Sequence, residues 1–396
     1  MVDVDRKGHK IAQFGNHGRR ALFWRRSLFR IFSIMPSVLP EVFPADCRRN
    51  AGCMCSKQRA NVLSAILVFG ATLIAPMDRA LADEAGRLTL VEENDSVVFP
   101  TDRYYTQGFA IAYLGGDVQD GSPWAAPFAG LSDWGLFGNG SQISRRYEIT
   151  FGQSIFTPED TDLTNPDPDD RPYAGWLYGG IGLVQDTDRR QLDHLQLLLG
   201  VVGPHSLARK AQNDWHQFIG VADAEGWDHQ LHNEPGIMLS YERKWRLIQP
   251  LGGGLAIDAI PELGATAGNV MTYAQTGTML RIGRNLEADY GPARIRPALS
   301  ASSYFNGDYM EDPFGFYIYV GVQGRAVARN IFLDGNTFRD SRDVEKEVLV
   351  GDLSGGVALF WSSDVKLDAG FTYRTKEFDG QDENAKFANI SLTVGF

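Results

Sequence analysis

The chain ends Phe387-Ala388-Asn389-Ile390-Ser391-Leu392-Thr393-Val394-Gly395-Phe396. In an extended chain, Ile390, Leu392, Val394 and Phe396 share one face, and Asn389, Ser391 and Thr393 share the other. A period of two residues marks a strand with one apolar face. The pattern recurs upstream. Val365, Leu367, Ala369, Phe371 and Tyr373 alternate with polar or small residues, as do Leu359 and Trp361. Phe109, Ile111 and Tyr113 alternate with Gly108, Ala110 and Ala112.

Twelve such runs are read: 87–96, 105–115, 144–155, 174–186, 190–202, 234–247, 255–267, 272–284, 316–329, 347–361, 365–377 and 387–396. A shorter stretch, 295–303, lies between Pro292 and the turn Asn306-Gly307-Asp308 and is read as a loop. Many runs reach ten residues. Strands of soluble proteins usually have about five or six, whereas a tilted membrane-spanning strand needs about 9–11. After residue 83 the apolar stretches, such as 195–202, are too short for a helix to span a bilayer. In hydrocarbon only helices and closed barrels satisfy every backbone group. The expected fold is therefore all-β, an antiparallel transmembrane β-barrel of about twelve strands. The alternative is a soluble, secreted β-sandwich.

Two segments break the alternation. Residues 156–173 are acidic and proline-rich, hence a long loop. Residues 206–219 carry Leu207, Ala211, Trp215 and Phe218 at helical spacing, with Ser206 as the expected cap and Gly220 as the stop. A short helix is thus expected in one loop.

Composition agrees with a packed, exported domain. Of 396 residues 43% are hydrophobic and 22% charged, too apolar for a disordered chain. A net charge of −11 argues against a nucleic-acid partner. The charge is uneven: residues 1–82 hold 13 Lys/Arg against 5 Asp/Glu, and residues 83–396 hold 25 against 44. Cys47, Cys53 and Cys55 all precede residue 83, so the later part has no thiol chemistry. Lys57 and Arg59 lead into the apolar run 60–76, and Arg79-Ala80-Leu81-Ala82 precedes Asp83. That is the layout of a secretory signal cut after Ala82, with a retained membrane anchor as the alternative. The expected organisation is an extension at 1–53, a signal peptide at 54–82 opened by Met54, and a barrel domain at 83–396. The extension is either real or the product of a start placed too early.

Five histidines follow residue 83: His194, His205, His216, His229 and His232. His194 lies mid-strand and is read as structural. His216 sits one helical turn after Gln212, on the same face, with no second histidine at metal-binding spacing. It reads as a general base. Asn94 and Asp95 in the first strand, and Asp223 and Glu225 after the helix, are hard-oxygen groups of the kind calcium takes. The competing reading is a solvated acidic surface. The sequence holds no G-x-S-x-G elbow, phosphate loop or zinc motif.

Several ordered motifs resemble the lipid A 3'-O-deacylase family. They are Asn94-Asp95, then Thr101-Asp102-Arg103-Tyr104-Tyr105-Thr106-Gln107-Gly108, Asp170-Arg171-Pro172-Tyr173-Ala174-Gly175-Trp176, and Gln212-Asn213-Asp214-Trp215-His216 with Gly220. The stretch from Gly226 to Pro235 completes the set. The resemblance implies a twelve-stranded outer-membrane barrel and a calcium-dependent esterase that removes the 3'-linked acyloxyacyl group of lipid A. It implies catalytic roles for Asn94, Asp95, Thr106 and His216, with Ca2+ as cofactor. Lipid A or lipopolysaccharide, amid outer-membrane lipid, is the implied partner, and no protein partner is evident. One position departs: the family's calcium-contacting glutamate corresponds to Ala222. Asp223 stands next to it and, with Asp95, is the expected metal ligand, with Glu225 as the alternative substitute for the glutamate. A basic residue near Leu163 is also missing. The rival functions are a non-catalytic channel with an open lumen and an esterase of the same fold with another lipid substrate.

Overall fold

The final strand closes the molecule. β13 (Ala385–Gly395) pairs antiparallel with β1 (Arg87–Asn94), from Arg87↔Gly395 to Asn94↔Ala388. This computed structural model describes residues 86–96, 102–298, 301–361 and 363–396. The extension at 1–53, the signal at 54–82 and its cleavage after Ala82 lie outside the described residues. Between β1 and β13 run β2 (Tyr104–Leu114), β3 (Ile143–Thr157), β4 (Ala174–Thr187), β5 (Gln191–Val202), β6 (Glu234–Trp245) and β7 (Leu247–Gly252). They are followed by β8 (Leu255–Gly268), β9 (Met271–Arg284), β10 (Phe314–Asn330), β11 (Leu349–Trp361) and β12 (Val365–Arg374). Sequential neighbours pair antiparallel, and β6 also pairs with β8, which closes the sheet.

β6 and β7 are one stave. Lys244↔Glu262 and Leu247↔Ala259 keep a single register along β8. The ladder breaks where Pro261, which has no N–H to give, lies opposite. The result among the described residues is a closed barrel of twelve staves, matching the twelve runs read from the sequence.

Alternation sets the two faces. In β13, Asn389, Ser391 and Thr393 are buried in the lumen, and Ile390, Leu392 and Val394 face out. The outer wall exposes Ile149, Phe151, Ile181, Leu199, Leu239 and Ile318. Apolar outside and polar inside is the inversion expected of a membrane barrel. The lumen is filled rather than open. The described parts of the connection from β9 to β10, 285–298 and 301–313, fold into it, carrying Tyr290, Arg294, Tyr304 and Phe305, all nearly inaccessible. Arg294 pairs with Glu93, Arg296 with Glu242 at 3.0 Å, and Asp289 with Arg281 and Lys366. Within the stretch read as a loop, residues 295–298 and 301–303 are thus part of a plug, which counts against an open channel.

Both ends of the described barrel chain, β1 at Arg87 and β13 at Gly395, lie on one rim, with the tight turns 188–190, 253–254 and 363–364; of the connections at that rim only those from β2 to β3 and from β9 to β10 are long. The opposite rim carries the described ends of the β1–β2 connection, the longer connections 158–173, 203–233, 331–348 and 375–384, and one tight turn at 269–270. Short turns face the periplasm and long loops the exterior, which places this second rim outside.

Among the described residues three α-helices lie off the wall: α1 (Ala126–Asp133), α2 (Ala208–Ile219) and α3 (Ile331–Asp334). α2 is the helix expected at 206–219. Gly220 ends it with φ 74°, a left-handed cap that glycine adopts without penalty. Its start differs from expectation. Ser206 belongs to a preceding 3-10 turn, Leu207 at φ 62° holds the cap position, and no side chain caps the helix. The chain is pinned there by burial instead of by a hydroxyl. The apolar residues are also not the buried ones: Leu207 and Phe218 are exposed, while Ala208, Gln212, His216 and Ile219 face inward.

A candidate active site on the outer wall

The site is built on the outside of the barrel. On β3, Gln153 shares the outward parity of Ile149 and Phe151, and its amide donates to the Ser206 carbonyl at 2.6 Å. On β4, Gly175 faces the same way. A Cβ there would lie 2.1 Å from Ser206 Oγ and 2.3 Å from Ala208 Cβ. Glycine is required at this point because α2 rests directly on the wall. Ile155, Tyr173, Ala208, Ala224 and Trp227 form a small apolar cluster beneath it. The 203–233 connection therefore folds back against β3 and β4, leaving the inward face of α2 to look at the outer ends of β1 and β2.

Those ends are shaped by a bulge. Tyr105 and Gln107 pair with consecutive residues of β3, Phe156 and Ile155, so Thr106 is the extra residue. Tyr105 points into the lumen, where its hydroxyl donates to Glu93 at 2.9 Å. Gln107 points out and donates to Glu92 at 3.0 Å. The bulge, a device that re-aims side chains, puts Thr106 with Gln107 on the outside. Just before it Tyr104 has φ 67°, a conformation that is strained for a residue with a Cβ. This sharp turn sends Asp102 and Tyr105 to different sides of the wall.

Asp102 is the centre of the site. His216 Nε2 lies 3.2 Å from Asp102 Oδ2. His216 Nδ1 lies 2.6 Å from the Ala222 carbonyl oxygen, to which it donates. The Gln212 amide donates to both Asp102 oxygens at 3.1 and 3.2 Å, and Trp227 Nε1 donates to Gln212 Oε1 at 2.8 Å. Asn213 fixes the following turn by accepting from Ala224 N at 3.1 Å. Each polar member of the Gln212–His216 stretch that faces inward thus has a job.

One ring nitrogen faces a carbonyl and the other a carboxylate, two acceptors that favour the protonated ring. Burial alone would lower its pKa; the Asp102 hydrogen bond and charge, with the Ala222 carbonyl, outweigh burial and raise it above the ordinary histidine value.

The other expected residues gather at the same place. Arg103 N donates to Asp95 Oδ2 at 2.7 Å, and Asp95 N donates to the Thr106 carbonyl at 3.2 Å. Asn94 Oδ1 accepts from Ser96 N and Ser96 Oγ, at 2.8 and 2.6 Å. The Thr106 and Thr157 hydroxyls are 2.6 Å apart, and Thr157 also donates to the Asp102 carbonyl at 3.3 Å. Asn94, Asp95 and Thr106 are buried, as is His216. Asp95 is held by Arg103 and His216 by Asp102, consecutive residues of one turn, which brings the distant acid and imidazole to one spot.

Asp223 is on the exposed side, where the Gln217 amide donates to it at 3.0 Å. Among the described residues no three of His, Cys, Asp and Glu gather as a metal-holding group. The oxygen donors near His216 are Asp95, Asp102, amides, hydroxyls and carbonyls, with no thiol or second imidazole. Arg209 and Lys210, the cations of the helix, are spent on Asp228 at 2.7 Å and Asp214 at 2.5 Å. His194 lies in the lumen beside Glu148 at 3.4 Å, a structural role as expected. The residue missed from sequence is Asp102. Its signal was present in the strand-opening stretch Asp102–Gly108, but no spacing rule links it to a histidine 114 positions later.

A family model described as outer membrane protein LpxR matches residues 63–396. No curated protein sequence matches. Among solved structures, LpxR from Salmonella typhimurium aligns with TM-score 0.64 at 18% identity, covering 78% of this chain and 100% of that one. At that identity the likeness shows the fold alone. The β domain of the Bordetella autotransporter Brka aligns with TM-score 0.38 at 12% identity, covering 79% of this chain and 98% of that one. That likeness is too weak to carry an argument.

Proposed function

Because this chain belongs to the LpxR family of outer membrane proteins, matched over residues 63–396, we propose that it is a lipid A esterase. It removes the 3'-linked acyloxyacyl group by water activated at His216. The observation that carries this reading is the His216–Asp102 pair, built outside the barrel wall at its outer rim. A water-filled pore has no use for a titratable pair there. An outer-leaflet lipid reaches that place without leaving the membrane.

In the reaction, the Ala222 carbonyl orients the ring through Nδ1–H, and Nε2 is the working nitrogen. Once deprotonated, Nε2 takes a proton from water while the water oxygen attacks the ester carbonyl. The tetrahedral state collapses with loss of the sugar 3'-oxygen, which takes that proton back from His216. Asp102 holds the imidazolium between these steps. Base catalysis of this type contributes roughly 10²–10⁴-fold. Thr106 and Asn94 position the carbonyl by hydrogen bonds, and their side-chain oxygens would be available to the cation.

The donor set is one of hard oxygens, which fits Ca2+ and does not fit zinc. Asp95, with the amide and carbonyl oxygens around it, would hold it; Asp223, the second carboxylate expected from the sequence, is engaged by Gln217 on the exposed side. When bound, Ca2+ supplies positive charge to a developing oxyanion.

The test is mass spectrometry of lipid A from cells with and without the protein, each with and without a calcium chelator. The expected result is loss of one acyloxyacyl unit that depends on the protein and is suppressed by the chelator. Identical lipid A in all samples would refute the esterase. Protein-dependent loss that persists in chelator would refute the calcium requirement alone.

A further inference from the structure

The periplasmic rim carries a second external element that the esterase reading does not use. The connection 115–142, which includes α1, runs along the outside of four staves. On β3 the Tyr147 hydroxyl donates to the Trp124 carbonyl at 2.7 Å. On β4 the Gln185 amide donates to the Gly138 carbonyl at 2.7 Å. On β5 Asp193 accepts from Gly138 N at 2.8 Å, and on β6 Arg243 donates to the Leu136 carbonyl at 3.0 Å. Phe128 and Phe137 are buried beneath it, packing on each other, with Phe128 also edge-on to Tyr147. The segment is therefore a strap, tied at every stave it crosses.

Its outer side is unlike a solvated loop. Trp124 is 70% exposed and Trp134 is 80% exposed, with Leu136 beside them. Directly above them the same staves present Ile149, Phe151, Ile181, Leu199, Ile237 and Leu239 to lipid. The indoles continue that apolar wall at its lower edge. The eleven residues of β3 from Tyr147 to Thr157, ten rises, cover ~33 Å at the usual strand rise. With a strand tilt of 35–45° the height is about 25 Å, the thickness of the apolar band of such a barrel. The strap and the His216 site thus lie one hydrocarbon layer apart on the same wall. Tryptophan and tyrosine concentrate where an apolar body and a polar tip are both satisfied, at the membrane–water boundary.

We infer that residues 115–142 form an interfacial anchor. Trp124 and Trp134 sit in the headgroup and upper acyl layer of the periplasmic leaflet, and their partner is phospholipid. The strap fixes the depth of this wall, and so the height at which the external site meets the opposite leaflet.

The test uses the full chain inserted in vesicles of phosphatidylethanolamine and phosphatidylglycerol, with and without bromine on the acyl chains. Subtracting the emission of a Trp124→Phe/Trp134→Phe variant from that of the wild type isolates the two indoles. The heat-modifiable migration of the variant confirms that it folds. The expected result is a difference signal that brominated chains quench and that iodide, present on both sides, leaves largely intact. A difference signal quenched by iodide and spared by brominated lipid means that the strap faces water or a soluble partner, and overturns the inference.

Discussion

The lumen and the outer face of the β1–β4 wall both bury charge, and they do it differently. In the lumen Asp352 accepts from Arg325 at 2.8 Å and from Arg374 at 2.9 and 3.0 Å, so both its oxygens are engaged by fixed cations. Such a group has no proton to trade. On the outer wall His216 has one carboxylate and one carbonyl, and its charge depends on a proton that can leave. The helix that carries it rests on the wall through Gly175 and Ala208 rather than through a ladder of backbone bonds. The contrast separates charge that holds shape from charge that can do chemistry.

The largest effects test this division directly. His216→Ala is expected to lower deacylation by about 10²–10⁴-fold while the barrel keeps its heat-modifiable migration. Asp352→Ala is expected to do the reverse, because it strands two buried guanidinium groups at a cost of about 3–5 kcal/mol. Urea unfolding in a bilayer, run beside the deacylation assay, reads both. If His216→Ala unfolds the barrel as much as Asp352→Ala does, the two regions do not differ in kind.

A smaller effect is expected from Gly175→Ala. The new methyl would force α2 away from β4, at a cost of about 1–3 kcal/mol, with activity falling and the unfolding midpoint of the barrel little changed. An active Gly175→Ala enzyme would mean that the helix need not touch the wall.

Asp102→Asn sharpens the comparison through pH. Asp102 holds the pKa of His216 above the ordinary value, and a base works only when deprotonated. The acidic limb of the rate profile should therefore lie above the ordinary histidine pKa and move down in Asp102→Asn. The same raised pKa contributes stability that is present below the ordinary histidine pKa and lost as pH rises through the folded value. A limb that stays in place would remove Asp102 from the site. The smallest effect is expected from Lys210→Ala. Its partner Asp214 is exposed, and such pairs contribute about 0–1 kcal/mol. A marked loss of rate there would assign Lys210 to substrate.

Particular residues show how far the sequence could be read. The strands were legible because a barrel in lipid imposes a local rule, apolar out and polar in, written residue by residue as at Ile390 to Thr393. His216 was legible because Gln212 and His216 share a helix face one turn apart. Ser206 misled because a hydroxyl before a helix is usually its cap, whereas here Leu207 turns left-handed and Ser206 is buried against Gly175. The apolar residues of α2 misled in the same way. Leu207 and Phe218 would face a core in a soluble protein, but beside a membrane wall the outside is the apolar side.

From the chain alone follow the twelve staves, the polarity of their faces and the stretches that interrupt them, since each depends on neighbours within a few residues. Tertiary structure alone decided three things: that Tyr290, Arg294, Tyr304 and Phe305 fill the lumen, that 203–233 folds back over the outer wall, and that Asp102 meets His216. Contacts between such distant positions are set by the closure of the sheet and by the bulge at Thr106. Neither the circumference of a barrel nor a change of facing by one residue is encoded in any local period.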